Sequence, residues 1–339
     1  MFNKKKNNFI YAAIDIGTYS IKILEAVADQ GTYTLTKFHI ETPSEKIDKK
    51  NIQKVVFQAL EKANLSAKDI FISLSGQSAV VRFIHMPQMT EEALKQSLAF
   101  EADKHMPFAI DDVYINSCIL QKKSIDKDKM SVLFAAAKKE VVDQRIQMFK
   151  DFGYNVALID IDAFAVFNAF IMSEPKINKD ESFAILNFGS TYTNTVIGSG
   201  KIPFFCRDIQ IGGEYIIKEA MVKSGLTYEQ LISQSKDNEQ IKEESLRMPI
   251  IQLLDEIRLS FGYYENQYGA TVDNVFVTGG FSSFPGILEV LQDALGVNVL
   301  RWDPVETFNI GPEIDEEKIL NARNSLAVAV GLLSRTDII

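Results

Sequence analysis

The stretch YAAIDIGTYSIKILEA, residues 11–26, decides how this chain is read. An apolar run breaks at Asp15, turns at Gly17 and resumes as a second apolar run that carries Lys22 among isoleucines. Apolar, β-branched segments around a small-residue turn predict a β-hairpin. The same turn suits an anion. Gly17 leaves room for close approach, so backbone N–H groups can converge on a phosphate. Thr18 and Ser20 add hydroxyl donors, with Tyr19 between them. Lys22 lies past the turn, where its ammonium can reach a terminal phosphate, and Asp15 can hold Mg2+ through water. Alone, the stretch is equally a plain hairpin, because Asp-x-Gly turns are common.

The pattern recurs after the polar linker SEPKINKDES, residues 173–182. SFAILNFGSTYTNTVIGSGKIPFFCRDI, residues 182–209, again runs strand, polar residue, x-Gly turn, strand, Gly turn, strand. Asn187 stands where Asp15 stood, Gly189 where Gly17 stood, and Ser190, Thr191 and Thr193 supply hydroxyls. An internal repeat of this size predicts two similar domains with a ligand clamped between them. A third stretch, VTGGFSSFPG at 277–286, ends a strand on Gly279 and Gly280. Paired glycines there let a flat base or ribose lie against backbone. Ser282 belongs to the same loop, and Phe284 is expected to cover an adenine face. Core packing for Phe284 and a tight turn for the glycines are the plainer alternatives.

Other features bound the function. With 339 residues, 46% hydrophobic and 24% charged, the chain reads as a globular protein of two domains. The net charge of -9 argues against a nucleic-acid binder. The basic start, MFNKKKNNF, reads as a solvated terminus. Cys118 and Cys206 lack CxxC spacing, and His39, His85 and His105 are scattered, so neither disulfide nor zinc is expected. No apolar run is long enough to span a bilayer and no signal peptide precedes the first strand, so a cytosolic protein is expected, held at a membrane only by partners.

Helices are expected at 51–63, from Thr90 to Pro107, at 139–152 and at 163–173, with strands around 69–87, 113–138 and 155–162. Thr90 is the N-cap of the second helix, with Glu91 and Glu92 favoured by the helix dipole. The second half has a helical region over 212–267, a strand at 272–278, a further helix, a short strand and a closing helix with a small-residue face.

Three loops in this order, DIGTYSIK, NFGSTYTN and TGGFSSFPG, resemble the two phosphate loops and the adenosine loop of the actin-like ATPase superfamily. Within it the chain looks most like the PilM family of type IV pilus assembly, which is related to the division protein FtsA. The carrying residues are residues 11–26, IHMPQMTEEALKQSLAFEADKHMPFAIDDV at 84–113, RDIQIGGEYI, DEIRLSFGYY and NSLAVAVGLLSR. The resemblance implies an α/β actin-like ATPase fold, two similar domains of sheet plus helices around a central nucleotide cleft. Domain I would cover 1–178 plus 325–339, with an FtsA-type inserted subdomain at 86–148. Domain II would cover 179–324, with a helical subdomain at about 212–250. It also implies ATP and Mg2+ in the cleft, with Asp162 of LIDIDAFAVFNAF orienting the attacking water. The implied partners are the N-terminal cytoplasmic peptide of PilN and other pilus platform and motor proteins, while homo-oligomerisation stays open. The groove for that peptide would lie between the inserted subdomain and domain I, with Arg82, Phe83 and Phe100 as candidates for its lining.

Two departures bear on catalysis. Asn187 replaces an aspartate usual in the family, which removes a metal-directing charge. LISQSKDN at 231–238 replaces a common Ala-Glu-x-x-Lys pattern, with Lys236 one position late. ATP binding with slow or absent turnover is therefore expected. The alternatives are an FtsA-like filament protein, which would need an amphipathic anchor after LLSRTDII, and a small-molecule kinase of the same fold, for which no sugar-site segment is found.

Overall fold

The computed structural model describes residues 9–29, 32–105, 107–121, 128–178, 181–237 and 239–335. The basic stretch at 1–8 lies outside them, as does the side chain of Lys236. The chain opens with β1 (Phe9–Ile16), β2 (Ile21–Asp29) and β3 (Thr32–Glu41), then α1 (Ile52–Ala63) and β4 (Asp69–Leu74). Next come β5 (Ala79–Pro87), α2 (Glu91–His105), β6 (Val113–Gln121), β7 (Lys129–Lys138), α3 (Lys139–Asp151), β8 (Asn155–Ile161) and α4 (Asp162–Met172). The second half holds β9 (Ser182–Phe188), β10 (Thr193–Ser199), β11 (Ile202–Ile209), α5 (Gly213–Ser224), α6 (Tyr228–Asp237) and α7 (Glu239–Tyr268). It closes with β12 (Asn274–Thr278), α8 (Ile287–Leu295), β13 (Asn298–Arg301), β14 (Asn309–Ile310), α9 (Glu316–Ala322) and α10 (Ala327–Leu333).

The two hairpins fall in separate sheets with the same topology. One sheet runs β14-β3-β2-β1-β4-β8 and the other β11-β10-β9-β12-β13. In each, an antiparallel meander is followed by two parallel neighbours. The central strands read as unbroken apolar runs because both their faces are covered. In β1, Ala12 and Ile14 face a core with α1 and α3, while Tyr11 and Ala13 face a core with α4 and α10. That second core also takes Phe183 and Ile185 of β9, so the α4–α10 pair ties the two sheets together.

A third sheet, β5-β7-β6, carries α2 on one face around its own small core of Met86, Leu94, Met130, Val132 and Phe134. Its boundaries differ from 86–148. β5 pairs with β7 along its whole length, from Ala79 opposite Ala137 to Pro87 opposite Lys129, so the subdomain begins at Ala79. Met148 and Phe149 of α3 sit in the first domain's core, so the subdomain ends near Lys138. The chain also returns to the first sheet before residue 325, because β14 pairs with β3 and Gly311 N–H donates to Leu35 O.

Local chemistry explains the main boundaries. Thr90 Oγ1 accepts the Ala93 N–H at 3.2 Å, capping α2 with Glu91 and Glu92 in its first turn. The region 212–267 divides at the left-handed Gly225 that ends α5. Among the described residues no helix is long and apolar enough to cross a membrane.

Candidate functional site

Register explains why β2 carries a lysine among isoleucines. Lys22 lies directly opposite Asp15 across β1 and β2, and its Nζ donates to Asp15 Oδ2 at 3.0 Å. Both side chains are largely buried, so each charge depends on the other. The Gly17 N–H closes the turn onto Ser20 O, and Ile47 N–H donates to Thr18 O. The second hairpin has the matching turn, with Gly189 N–H on Tyr192 O. The start of α5 braces it, since the Gly213 and Glu214 N–H groups donate to Gly189 O and Ser190 O. The turns meet across one cleft, where Thr18 Oγ1 and Thr191 Oγ1 are hydrogen-bonded at 2.7 Å. Tyr19 points to solvent, 64% exposed.

The position matching Asp15 in the repeat is part of a longer polar row. Asn187, Asn194 and Asp208 stand side by side across β9, β10 and β11. Asn187 Nδ2 donates to Asn194 Oδ1 at 2.7 Å, and Asn194 Nδ2 donates to Asp208 Oδ1 at 2.6 Å. The row then crosses the cleft, where the Gly76 N–H donates to Asp208 Oδ2 at 2.9 Å. Asn194 and Asp208 were not among the expected site residues.

Asp162 opens α4. Burial first, and the charge of Asp15 second, push its carboxyl up to about 7, with Asp208 adding to the rise. Asp15, Asp162 and Asp208 therefore share one field with the ammonium of Lys22, and Arg145 also feels the charge of Asp162. No group of three or more His, Cys, Asp or Glu among the described residues is arranged to hold a metal ion directly.

The third loop lies where its sequence suggests, but several of its residues have other tasks. Gly279 has φ +93, and a Cβ there would lie 2.4 Å from Phe188 N. The absence of a side chain here lets the loop pack closely on β9. The Gly279 N–H donates to Asn324 O at 2.6 Å. Gly280 is exposed, and a Cβ there would meet nothing nearer than Ser325 Cβ at 3.9 Å. Ser282 is buried and its hydroxyl donates to Gly279 O. Phe284 is 5% exposed in the second domain's core, its ring 5.3 Å from that of Phe281, so it is not free to cover an adenine.

The three groove candidates do not share one face. Arg82 and Phe83 are adjacent on β5, so their side chains leave opposite faces of the sheet. Arg82 is exposed and donates to Val81 O, Phe83 is half-buried, and Phe100 is exposed on α2. Phe83 shares its face with Leu133 and Cys118, the residues paired beside it on β7 and β6.

Two like-folded sheets with facing glycine turns, and polar residues paired behind each turn, define the actin-like ATPase fold. Solved structures of that fold are similar at low sequence identity. The ethanolamine utilization protein EutJ from Carboxydothermus hydrogenoformans aligns with TM-score 0.51 and 12% identity, over 96% of this chain and 89% of that one. MreB5 of Spiroplasma citri bound to ADP aligns with TM-score 0.50 and 11% identity, over 98% of both chains. A structure described as a PilM-PilN type IV pilus biogenesis complex aligns with TM-score 0.82 and 21% identity, over 96% of this chain and 98% of that one. The family profile described as type IV pilus assembly protein PilM matches residues 13–337. The chain belongs to the PilM family of type IV pilus assembly proteins.

Proposed function

We propose that this chain is a nucleotide-binding scaffold of the type IV pilus inner-membrane platform, docking the N-terminal cytoplasmic peptide of PilN. The observation that carries the nucleotide reading is the meeting of the two turns at Thr18 and Thr191, with the Lys22–Asp15 pair behind them. A polyphosphate between the turns would take the place of that hydroxyl contact. Its oxygens would meet backbone N–H groups at Thr18, Ser190 and Thr191, and the ammonium of Lys22. Gly279 and Gly280 shape the nucleoside side of the cleft, with Gly280 the one open to a ligand. ATP with Mg2+ is the occupant that suits this set, the cation resting through water on Asp15. The bound nucleotide supplies a phosphoryl group. Asp162 is placed to orient a water, but Asn187 brings no metal-directing charge where the first turn has Asp15. Turnover is therefore slow or absent.

The partner reading rests on family membership and on the structural likeness to a PilM-PilN complex. The inserted sheet, with its separate core, is the element we assign as the docking unit. The chain reaches the membrane through such a partner. The test is binding of a synthetic peptide of the first residues of the cognate PilN, measured by fluorescence anisotropy. The whole chain should bind it, and a variant with residues 79–138 replaced by a short linker should not. Calorimetry with ATP should show binding that Lys22→Ala weakens at least tenfold. Absence of both interactions in the folded whole chain would refute the proposal.

A further inference from the structure

The polar row behind the second turn ends at the root of the inserted subdomain. Asp208 spends one oxygen on Asn194, and through it on Asn187 of the second phosphate loop. Its other oxygen takes the Gly76 N–H of the first domain, 2.9 Å away. Gly76 has a second tie to the same loop. At φ +64 it has no side chain, and a Cβ there would lie 3.2 Å from the Tyr192 hydroxyl. Gly76–Ser78 forms a single 3-10 turn, and the next residue, Ala79, begins β5. β5 is paired to β7 over its whole length, so a shift at Gly76 is passed to the entire inserted sheet rather than absorbed in a loop. The far end of β5 also touches the second domain, where the His85 ring meets that of Tyr268.

From this geometry we infer that Asp208 is a positioning residue that couples the nucleotide cleft to the partner-docking subdomain, acting through Gly76. The inference rests on the two binding activities proposed above. A nucleotide that orders the loop at 189–192 fixes Tyr192 and the Asn187–Asn194–Asp208 row. The row in turn fixes Gly76 and the orientation of the inserted sheet. Nucleotide and peptide then favour the same closed arrangement, so each strengthens the other by one common factor. An isosteric Asp208→Asn change leaves only one acceptor oxygen, and its amide group faces an N–H donor on the other side. The row is cut while the fold of β11 is kept.

The experiment measures peptide affinity by anisotropy with and without a non-hydrolysable ATP analogue and Mg2+, in wild type and Asp208→Asn. Wild type should bind peptide about fivefold tighter, or more, with nucleotide present, and the peptide should tighten the nucleotide equally. Asp208→Asn should bring that ratio close to one. A purely structural role would change the individual affinities without changing their ratio. Hydrogen exchange at the Gly76 amide in the wild type is the second measurement and needs no variant; it should slow when nucleotide binds. If wild type fails to bind either ligand, the underlying functional reading falls. If it binds both with a ratio of one, if Asp208→Asn keeps the wild-type ratio, or if Gly76 exchange is indifferent to nucleotide, the relay is wrong and the functional reading stands.

Discussion

The close crossing of α4 and α10 gives a prediction whose sign can be worked from geometry. Gly331 in α10 faces α4, where a Cβ would lie 1.7 Å from Ala165 O. Ordinary contact needs about twice that, so Gly331→Ala forces the helices apart by roughly 1.5 Å. The obstacle is a backbone carbonyl, which cannot swing aside as a side-chain end could. Overpacking of a well-packed core costs ~1–3 kcal/mol and sometimes more. The better helix propensity of alanine returns about 1 kcal/mol. Because α4 and α10 hold both sheets to one core and the obstacle is backbone, the cost falls at the upper end of that range, and we expect a net loss of about 2 kcal/mol. Gly262 is the control. It also lies inside a helix, α7, but a Cβ there meets nothing within 4 Å. Gly262→Ala should therefore stabilise by about 0.5–1 kcal/mol. Differential scanning calorimetry should show a midpoint lowered by several degrees for Gly331→Ala and slightly raised for Gly262→Ala. Equal shifts in the same direction, or an unchanged Gly331→Ala, would refute the close-crossing argument.

Other perturbations follow from named groups. Glu25 is buried, and its carboxylate accepts the Ser66 and Ala67 N–H groups at 2.6 and 2.8 Å and the Thr36 hydroxyl at 2.9 Å. Glu25→Ala strands these donors and should cost about 3 kcal/mol by chemical denaturation; a loss under 1 kcal/mol would contradict the account. Gly280→Val should leave the thermal midpoint nearly unchanged and weaken ATP binding, because its side chain enters open space beside the nucleoside. Gly279→Val should instead unfold the loop, given its positive φ and the Phe188 backbone beside it. Asp162 gives a pH signature. Its folded value, about 7, lies above the unfolded one, so the folded state holds the proton longer. Its contribution to stability is complete below about pH 4 and declines as the pH rises to about 7. Asp162→Asn should flatten that part of the stability profile, and a parallel profile would argue against the shift.

Much of this architecture was legible because strand patterns and hairpin symmetry are local. Asn187 and Asn194 lie at equal distances from the turn between them, so their pairing could have been counted from the sequence. Asp208 could not, because a bulge at Ile197/Gly198 shifts the β10–β11 register. The side of the third loop that faces a ligand was equally hidden. Two adjacent glycines look alike in a sequence, yet Gly279 is buried on β9 and Gly280 is exposed. Phe284 illustrates the general bias, since a large aromatic near a glycine turn more often completes a core than waits for a base. The subdomain limits needed pairing partners, and β5 extends back to Ala79 only because β7 continues opposite it. The small return strand β14 has two residues and no periodicity to read, whereas α9 carried a readable signal in its Asp315 cap, whose side chain accepts the Lys318 N–H.

The central claim is that nucleotide lies between the twin turns while the partner docks on the inserted sheet. Amide hydrogen exchange of the whole chain, recorded alone, with ATP and Mg2+, and with the PilN peptide, tests it most directly. Nucleotide should protect residues 16–20, 188–193 and 279–281, and peptide should protect amides within 79–138. Nucleotide protection that misses both turns, or peptide protection confined to the second domain, would contradict the account.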